Sequence, residues 1–179
     1  SADGRGRNTA LQAFDGKPMV SHVIERMRPL VGTMLLNVNQ DLERFEALGL
    51  PLVSDAVGGF AGPLAGLHAG LSTATTDWIL TCPCDSPLVP IDLADRLSQA
   101  TSAAQAQLGV VVTGGWPQPV FALVRRELLD NLTAFLSQGG RKIDTWYAPL
   151  ATVEVPFEDD SAFRNINTPE DLARYQQSP

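Results

Sequence analysis

The amino-acid sequence predicts a single-domain α/β fold with a mostly parallel sheet. Short apolar runs alternate with segments whose apolar residues recur at spacings of three and four, the pattern of strands and amphipathic helices taken in turn. The runs are nearly continuous rather than alternating, as expected of strands buried on both faces. The 179 residues contain no repeat, low-complexity tract or linker, so one core over 1–179 is enough.

Taken in order, Val20, Val23, Ile24, Met27, Leu30 and Val31 mark one face of a helix that Gly32 stops. Met34 to Val38 is the first buried strand, with Asn37 and Asn39 at its end. Asp41 can cap a short helix with Leu42, Phe45 and Leu48 inward, and Gly49 follows it. Leu50 to Val53 is a strand that ends at Ser54-Asp55. A glycine-rich loop through Gly58, Gly59 and Gly62 leads into a helix carrying Leu64, Leu67 and Leu71. Trp78 to Cys82 is the next strand and runs into Pro83-Cys84-Asp85-Ser86-Pro87. The second half predicts helices near Leu93 to Ala100, Glu127 to Leu136 and around Ile143 to Tyr147, and strands at Leu108 to Val112, Val120 to Val124 and Thr152 to Val155. Thr168 as N-cap, Pro169 at the first helical position and Glu170 and Asp171 in the first turn open the last helix.

Composition excludes several classes of function. No run reaches the roughly 18 apolar residues of a membrane span, and no export signal is seen at the start. The net charge of −7 speaks against nucleic acid as a main partner, because that affinity rests on phosphate neutralisation. Cys82 and Cys84 flank one proline, too close for a disulfide framework, which favours a reducing cytoplasm. With His22 and His68 far away in sequence, a structural zinc site lacks its ligands.

Ligands of parallel sheets bind at the carboxyl ends of strands, and here three strands in succession end in Asn37, Asp55 and Asp85. Asn and Asp are common in such turns, yet all three share one predicted rim. Asp85 stands out as a surface-cleft carboxylate in a loop stiffened by Pro83 and Pro87. A hard carboxylate of this kind suits Mg²⁺, which is held by one or two carboxylates plus substrate phosphates. Gly4, Arg5, Gly6 and Arg7 could cradle a phosphate through backbone N–H groups and guanidinium charge, or form a flexible terminus. Gly62, Gly66 and Gly70 fit close approach to a ligand and tight helix packing equally well. Cys82 reads as an apolar filler and His68 as a satisfied, half-buried histidine. Arg141 and Lys142 form a small positive cluster that is either a solvated face or a dock for an anionic substrate. Asn165 and Asn167 alternate around Ile166 before the Thr168 cap.

Together these strings resemble the molybdenum cofactor guanylyltransferases of the MobA type. The resemblance is carried by Gly16-Lys17-Pro18, Asn37-Val38-Asn39, Ser54-Asp55, Gly62-Pro63-Leu64-Ala65-Gly66, Pro83-Cys84-Asp85-Ser86-Pro87, Pro119-Val120-Phe121-Ala122-Leu123 and Asn165-Ile166-Asn167-Thr168-Pro169. They follow the family's order from Leu11 to about Tyr175. It implies a Rossmann-like, three-layer nucleotidyltransferase fold and transfer of GMP from GTP to molybdopterin, or molybdenum-molybdopterin, with release of pyrophosphate. It also implies Mg²⁺ at Asp85, with Arg7 beside it in catalysis, and Gly4, Arg5, Asn37 and Asp55 on the nucleotide. Asn165 and Asn167 would face the pterin, where Arg141 and Lys142 are further candidates. Molybdoenzymes or their chaperones are the implied protein partners. A cytidylyltransferase or another nucleotidyltransferase of the same fold is the neighbouring alternative, since base choice rests on a few loop contacts.

The departures lie at the start. The family places an apolar strand there, then Leu-Ala-Gly-Gly, a loop with Arg-Met-Gly and an Asp-Lys pair; here Gly4 to Arg7 match in part and Asn8-Thr9 stands where Asp-Lys would fall. We expect a strand and several loop residues to belong in this region, because a parallel sheet without its first strand exposes apolar edges. If the loop is as short as written, the phosphate loop is broken, and a non-catalytic nucleotide- or cofactor-binding module becomes the competing reading.

Overall fold

The computed structural model describes residues 8–56, 62–166 and 168–176. It opens with a 3₁₀ turn at Thr9–Leu11 and a small hairpin, β1 (Ala13–Phe14) and β2 (Lys17–Pro18). The hairpin turns on Asp15 and Gly16, both at positive φ. Next come α1 (Met19–Met27), β3 (Leu36–Asn37), α2 (Leu42–Glu46), β4 (Leu52–Val53), α3 (Pro63–Thr73) and β5 (Trp78–Thr81). The second half adds α4 (Leu93–Ala104), β6 (Leu108–Thr113), β7 (Trp116–Arg125), α5 (Leu129–Ser137), α6 (Ile143–Tyr147), β8 (Thr152–Phe157) and α7 (Pro169–Gln176).

The predicted alternation of strands and helices is present, and the sheet is mixed. β3 and β4 pair in parallel, as do β6 and β8, while β7 runs antiparallel between β5 and β6. The cause is the Gly114-Gly115 turn, with φ of 55° and 82°, which closes β6 onto β7 as a tight hairpin. β7 begins earlier than its apolar run indicates, at Trp116, despite Pro117 and Pro119. Pairing shifts between Val110, opposite Ala122, and Val111, opposite Gln118. Pro119 falls in that gap, where its missing N–H breaks no ladder bond. The Thr81 hydroxyl stands beside the gap, accepting from the Ala122 N–H at 3.1 Å and lying 3.0 Å from the Val120 carbonyl oxygen.

Side chains on the two sheet faces build two core clusters. Leu64, Leu67 and Leu71 of α3, with Leu132 and Leu136 of α5 and Trp146 of α6, cover Val110 and Val124 on one face. Val23 and Met27 of α1 and Leu93 and Leu97 of α4 cover Val111, Phe121 and Val155 on the other. Successive residues Val110 and Val111 thus feed opposite layers, the period of two that makes a three-layer fold. Each buried Leu contributes roughly 1.5–3 kcal/mol. Truncating one such as Leu97, fully buried between α4 and the sheet, would cost about 2–5 kcal/mol.

A cavity of about 1170 Å³ lies between the two sheet pieces, with Met34 to Asn37 on one side and Trp78 to Cys82 on the other. All four β5 residues are accordingly only half-buried despite their apolar run. The strand expected ahead of the Gly4 to Arg7 stretch lies outside the described residues. Among the described residues no helix is long and apolar enough to cross a membrane.

Candidate functional site

The carboxyl ends of β3 and β4 lie side by side, with Asn37 opposite Val53 in the register. That pairing brings Asp55 between two asparagine amides. Asn37 Nδ2 donates to Asp55 Oδ1 at 2.8 Å and Asn39 Nδ2 donates to Asp55 Oδ2 at 2.9 Å. Asn39 Oδ1 in turn accepts from the Asp55 N–H at 2.9 Å, and the Ser54 hydroxyl donates to the Val38 carbonyl at 3.1 Å. Asn37 Nδ2 also donates to the Val53 carbonyl at 3.1 Å, so both its amide protons are committed. Asn37 therefore orients Asp55, whose half-buried carboxylate keeps a lone pair on each oxygen for a ligand.

Gly66 of α3 is part of this arrangement. A Cβ there would stand 2.6 Å from Asn37 Oδ1, so glycine lets the helix close over the asparagine without displacing its side chain. A Cβ on Gly70 would reach Ile79 at an ordinary 3.4 Å. The glycine spacing is thus helix packing at Gly70 and support of a site residue at Gly66. The sequence pattern alone could not divide the two, because both partners are distant in the chain.

Asp85 lies just past the end of β5. It is not the exposed cleft carboxylate expected from the sequence: only 5% of its surface is accessible. Its loop is tied to Thr9 and Ile166. Thr9 Oγ1 donates to Asp85 Oδ2 at 3.3 Å, and the Ile166 N–H donates to the Asp85 carbonyl at 3.1 Å. The fully buried Ser86 donates its hydroxyl to Asn165 Oδ1 at 2.8 Å. Asn37, Asp85 and Asn165 all line the large cavity, so three of the predicted site residues share one space. Asp55 reaches it through its bond to Asn37.

A single carboxylate lining a large cavity fits Mg²⁺, which takes one or two protein carboxylates and completes its shell with substrate phosphates and water. Among the described residues no group of three or more His, Cys, Asp or Glu gathers, so there is no all-protein metal cage. The neighbouring thiols are held in their protonated form. Burial raises Cys82 well above the usual thiol range and raises Cys84 from 9.0 to about 11, with the Asp85 charge adding to both.

Other predicted residues stand apart from this cluster. Arg141 Nη1 donates to the Leu136 carbonyl at 3.0 Å and the Gly140 carbonyl at 2.6 Å, closing the C-terminal end of α5. Lys142 is the N-cap of α6. His68 Nε2 meets Thr133 Oγ1 at 3.0 Å between α3 and α5. Gly4, Arg5, Arg7 and Asn167 lie outside the described residues.

Comparison with known proteins shows the family. Residues 4–152 match the MobA-like NTP transferase domain. The chain is 49% identical over 185 residues to the molybdenum cofactor guanylyltransferase of Ralstonia pickettii (strain 12J), covering 96% of this chain and 91% of that protein. It is 44% identical over 176 residues to the protein of the same name in Cupriavidus metallidurans, covering 96% and 87%. Its structure is similar to that of molybdopterin-guanine dinucleotide biosynthesis protein A from Archaeoglobus fulgidus, with a TM-score of 0.76 at 25% identity over 97% of this chain and 92% of the other. The 2-C-methyl-D-erythritol 4-phosphate cytidylyltransferase of Thermus thermophilus shares the fold, with a TM-score of 0.69 at 17% identity over 97% and 93%.

Proposed function

The chain belongs to the MobA-like NTP transferase family, and from that premise we propose that it transfers GMP from GTP to molybdopterin, yielding the guanine dinucleotide form of the molybdenum cofactor. The observation that carries the reading is the Asp55 carboxylate held between Asn37 and Asn39, with Asn37 lining the same cavity as Asp85. Two acceptor oxygens so fixed match the N1–H and 2-amino donors of guanine, which cytosine lacks. The cytidylyl alternative has less support, because the cytidylyltransferase neighbour is alike in fold only.

A terminal phosphate oxygen of the acceptor attacks the α-phosphorus of GTP in line; the new P–O bond forms as the α–β bridging bond breaks, and pyrophosphate leaves. Asp85 would hold Mg²⁺, which when bound offsets charge on the α-phosphate and the leaving pyrophosphate. The chain's own groups position the reactants: Asp55 the base, and Asn165, tied to Ser86 beside Asp85, the acceptor side. Catalysis of this kind rests on alignment and charge stabilisation, without a covalent enzyme intermediate. Arg7, Gly4 and Arg5 are assigned to the nucleotide phosphates in this reading, and a cytoplasmic location accords with two free thiols. The test is calorimetric titration with GTP, CTP and ATP, each with and without Mg²⁺, followed by pyrophosphate release in the presence of molybdopterin. Selective binding of GTP and acceptor-dependent release are expected; equal binding of all three would overturn the base assignment.

A further inference from the structure

Among the described residues the β3–β4 pair and the four-stranded sheet share no ladder, so strand pairing does not set the separation between Asp55, after β4, and Asp85, after β5. Helices that touch both pieces set it instead. On one face α1 does so through side chains, with Val20 and Ile24 packed beside Leu36 and with Val23 and Met27 beside Val111 and Phe121. On the other face α3 packs against β3, β4, β5 and α5. Gly66 lies over Asn37 of β3 and Gly70 over Ile79 of β5, four residues apart on one stripe of the helix. Two glycines let α3 come close to both strands but give it no side chain there to lock into either.

A directed contact stands on the far side of α3. His68 is two residues from both glycines, about half a turn round the helix from their stripe, and meets α5. The Thr133 hydroxyl donates to the Leu129 carbonyl at 2.8 Å, so its oxygen accepts from His68, and Nε2 carries the proton in the 3.0 Å bond between them. That tautomer leaves Nδ1 with a lone pair, sealed from water and without a partner among the described residues. Such an orphan nitrogen destabilises the fold relative to an apolar side chain. Leucine fills positions 64, 67 and 71 of the same helix. What histidine adds over leucine at 68 is a directed bond to α5.

We propose that His68 is a positioning residue for nucleotide transfer: through Thr133 it fixes the slide and rotation of α3 against α5, and α3 in turn keeps Gly66 on Asn37 and the Asp55 carboxylate at its working distance from Asp85. The functional part rests on the guanylyltransferase reading, which assigns Asp55 to the base and Asp85 to the phosphates. The mechanical part, coupling from Thr133 through α3 to Asn37, does not. His68 touches no reactant in this role. A displaced α3 lets Asn37 turn away from Asp55, which loosens the base site, while the Asp85 loop stays tied to Thr9 and Ile166.

The experiment is proton–nitrogen NMR of the side-chain amides, with GTP affinity by calorimetry and thermal unfolding, on wild type, Thr133→Val, Thr133→Ser and His68→Leu. The Asn37 amide is the reporter, because both its protons are hydrogen-bonded, to Asp55 and to the Val53 carbonyl. Thr133→Val and His68→Leu should shift that signal and weaken GTP binding about fivefold, within the range for residues that touch no ligand. Thr133→Ser keeps the hydroxyl and should match wild type. His68→Leu also removes the orphan nitrogen, so its unfolding temperature should be no lower than that of wild type while its GTP affinity falls. An Asn37 signal that ignores both substitutions, a wild type that binds GTP no better than Thr133→Val and His68→Leu do, a Thr133→Ser chain that behaves like Thr133→Val, or affinity that falls only in step with stability would each overturn the proposal. A wild type that binds no GTP, with an Asn37 signal that responds to both substitutions, would instead sink the guanylyltransferase reading and leave the coupling standing.

Discussion

Thr9 Oγ1 donates to Asp85 Oδ2 across 3.3 Å, joining the first described turn to the loop after β5. Thr9 occupies the position that the family resemblance gives to a lysine, so this chain meets its central carboxylate with a neutral donor there. Among the described residues no ion pair takes up the charge at Asp85, which leaves it for a cation. Asp85→Asn preserves the shape and an oxygen to accept from Thr9 while removing the charge. It should lower Mg²⁺-dependent pyrophosphate release by about a hundredfold or more. The fold should lose no more than about 1 kcal/mol. Turnover against Mg²⁺ concentration and urea denaturation of the same preparation check both parts; a large loss of stability would mean that Asp85 is chiefly a structural group.

Gly66→Ala tests whether the glycines of α3 serve the site. The added methyl lies 2.6 Å from Asn37 Oδ1, the end of a side chain that can swing aside. Helix propensity favours alanine by up to about 1 kcal/mol, so stability should change little. The displaced Asn37 would then release Asp55, and GTP should bind about tenfold more weakly. Calorimetry alongside thermal unfolding separates this from a packing defect, in which both quantities would fall together.

Much of this site could be read from the chain because its residues follow strand ends. Asn37, Asp55 and Asp85 are each placed by a short apolar run just before them, and the parallel register of β3 on β4 does the rest. Residues whose role depends on a distant partner were hidden. Arg141 looks like free charge in the sequence, but Gly139, at φ 88°, turns the chain so that the guanidinium caps the carbonyls of α5. His68 sits among leucines at helical spacing, and its partner Thr133 lies 65 residues further on in α5. The antiparallel course of β7 did have a local signal: Gly114-Gly115 between two apolar runs is a hairpin turn.

Asp55→Asn should separate base recognition from phosphate binding. The substitution leaves an oxygen on one side and places an amide donor against the donors of Asn37 or Asn39 and of guanine. GTP affinity should fall by roughly 10- to 100-fold, the range for hydrogen bonds to a charged group. Inosine triphosphate, which lacks the 2-amino group, should bind wild type more weakly than GTP and lose less on substitution. Identical losses for the two nucleotides would show that Asp55 does not touch the 2-amino group.

The two thiols give the protein an alkaline limit. Cys84 is raised from 9.0 to about 11 by burial first and the Asp85 charge second, and Cys82 is raised further by burial and by the charges of Cys84 and Asp85. In the unfolded chain both ionise near their ordinary values, while in the folded chain they keep their protons. Between pH 9 and about 11 the folded state therefore binds more protons than the unfolded one, and stability falls as pH rises. Below pH 9 both states are protonated and this contribution is fully present. Urea midpoints measured from pH 7 to 10.5 should decline on the alkaline side, and a Cys82→Ala, Cys84→Ala chain should decline less over the same interval. Maleimide labelling at pH 7.5 should be slow in buffer and fast in urea; rapid labelling of the folded chain would show that the thiolates are accessible and that burial does not hold their protons.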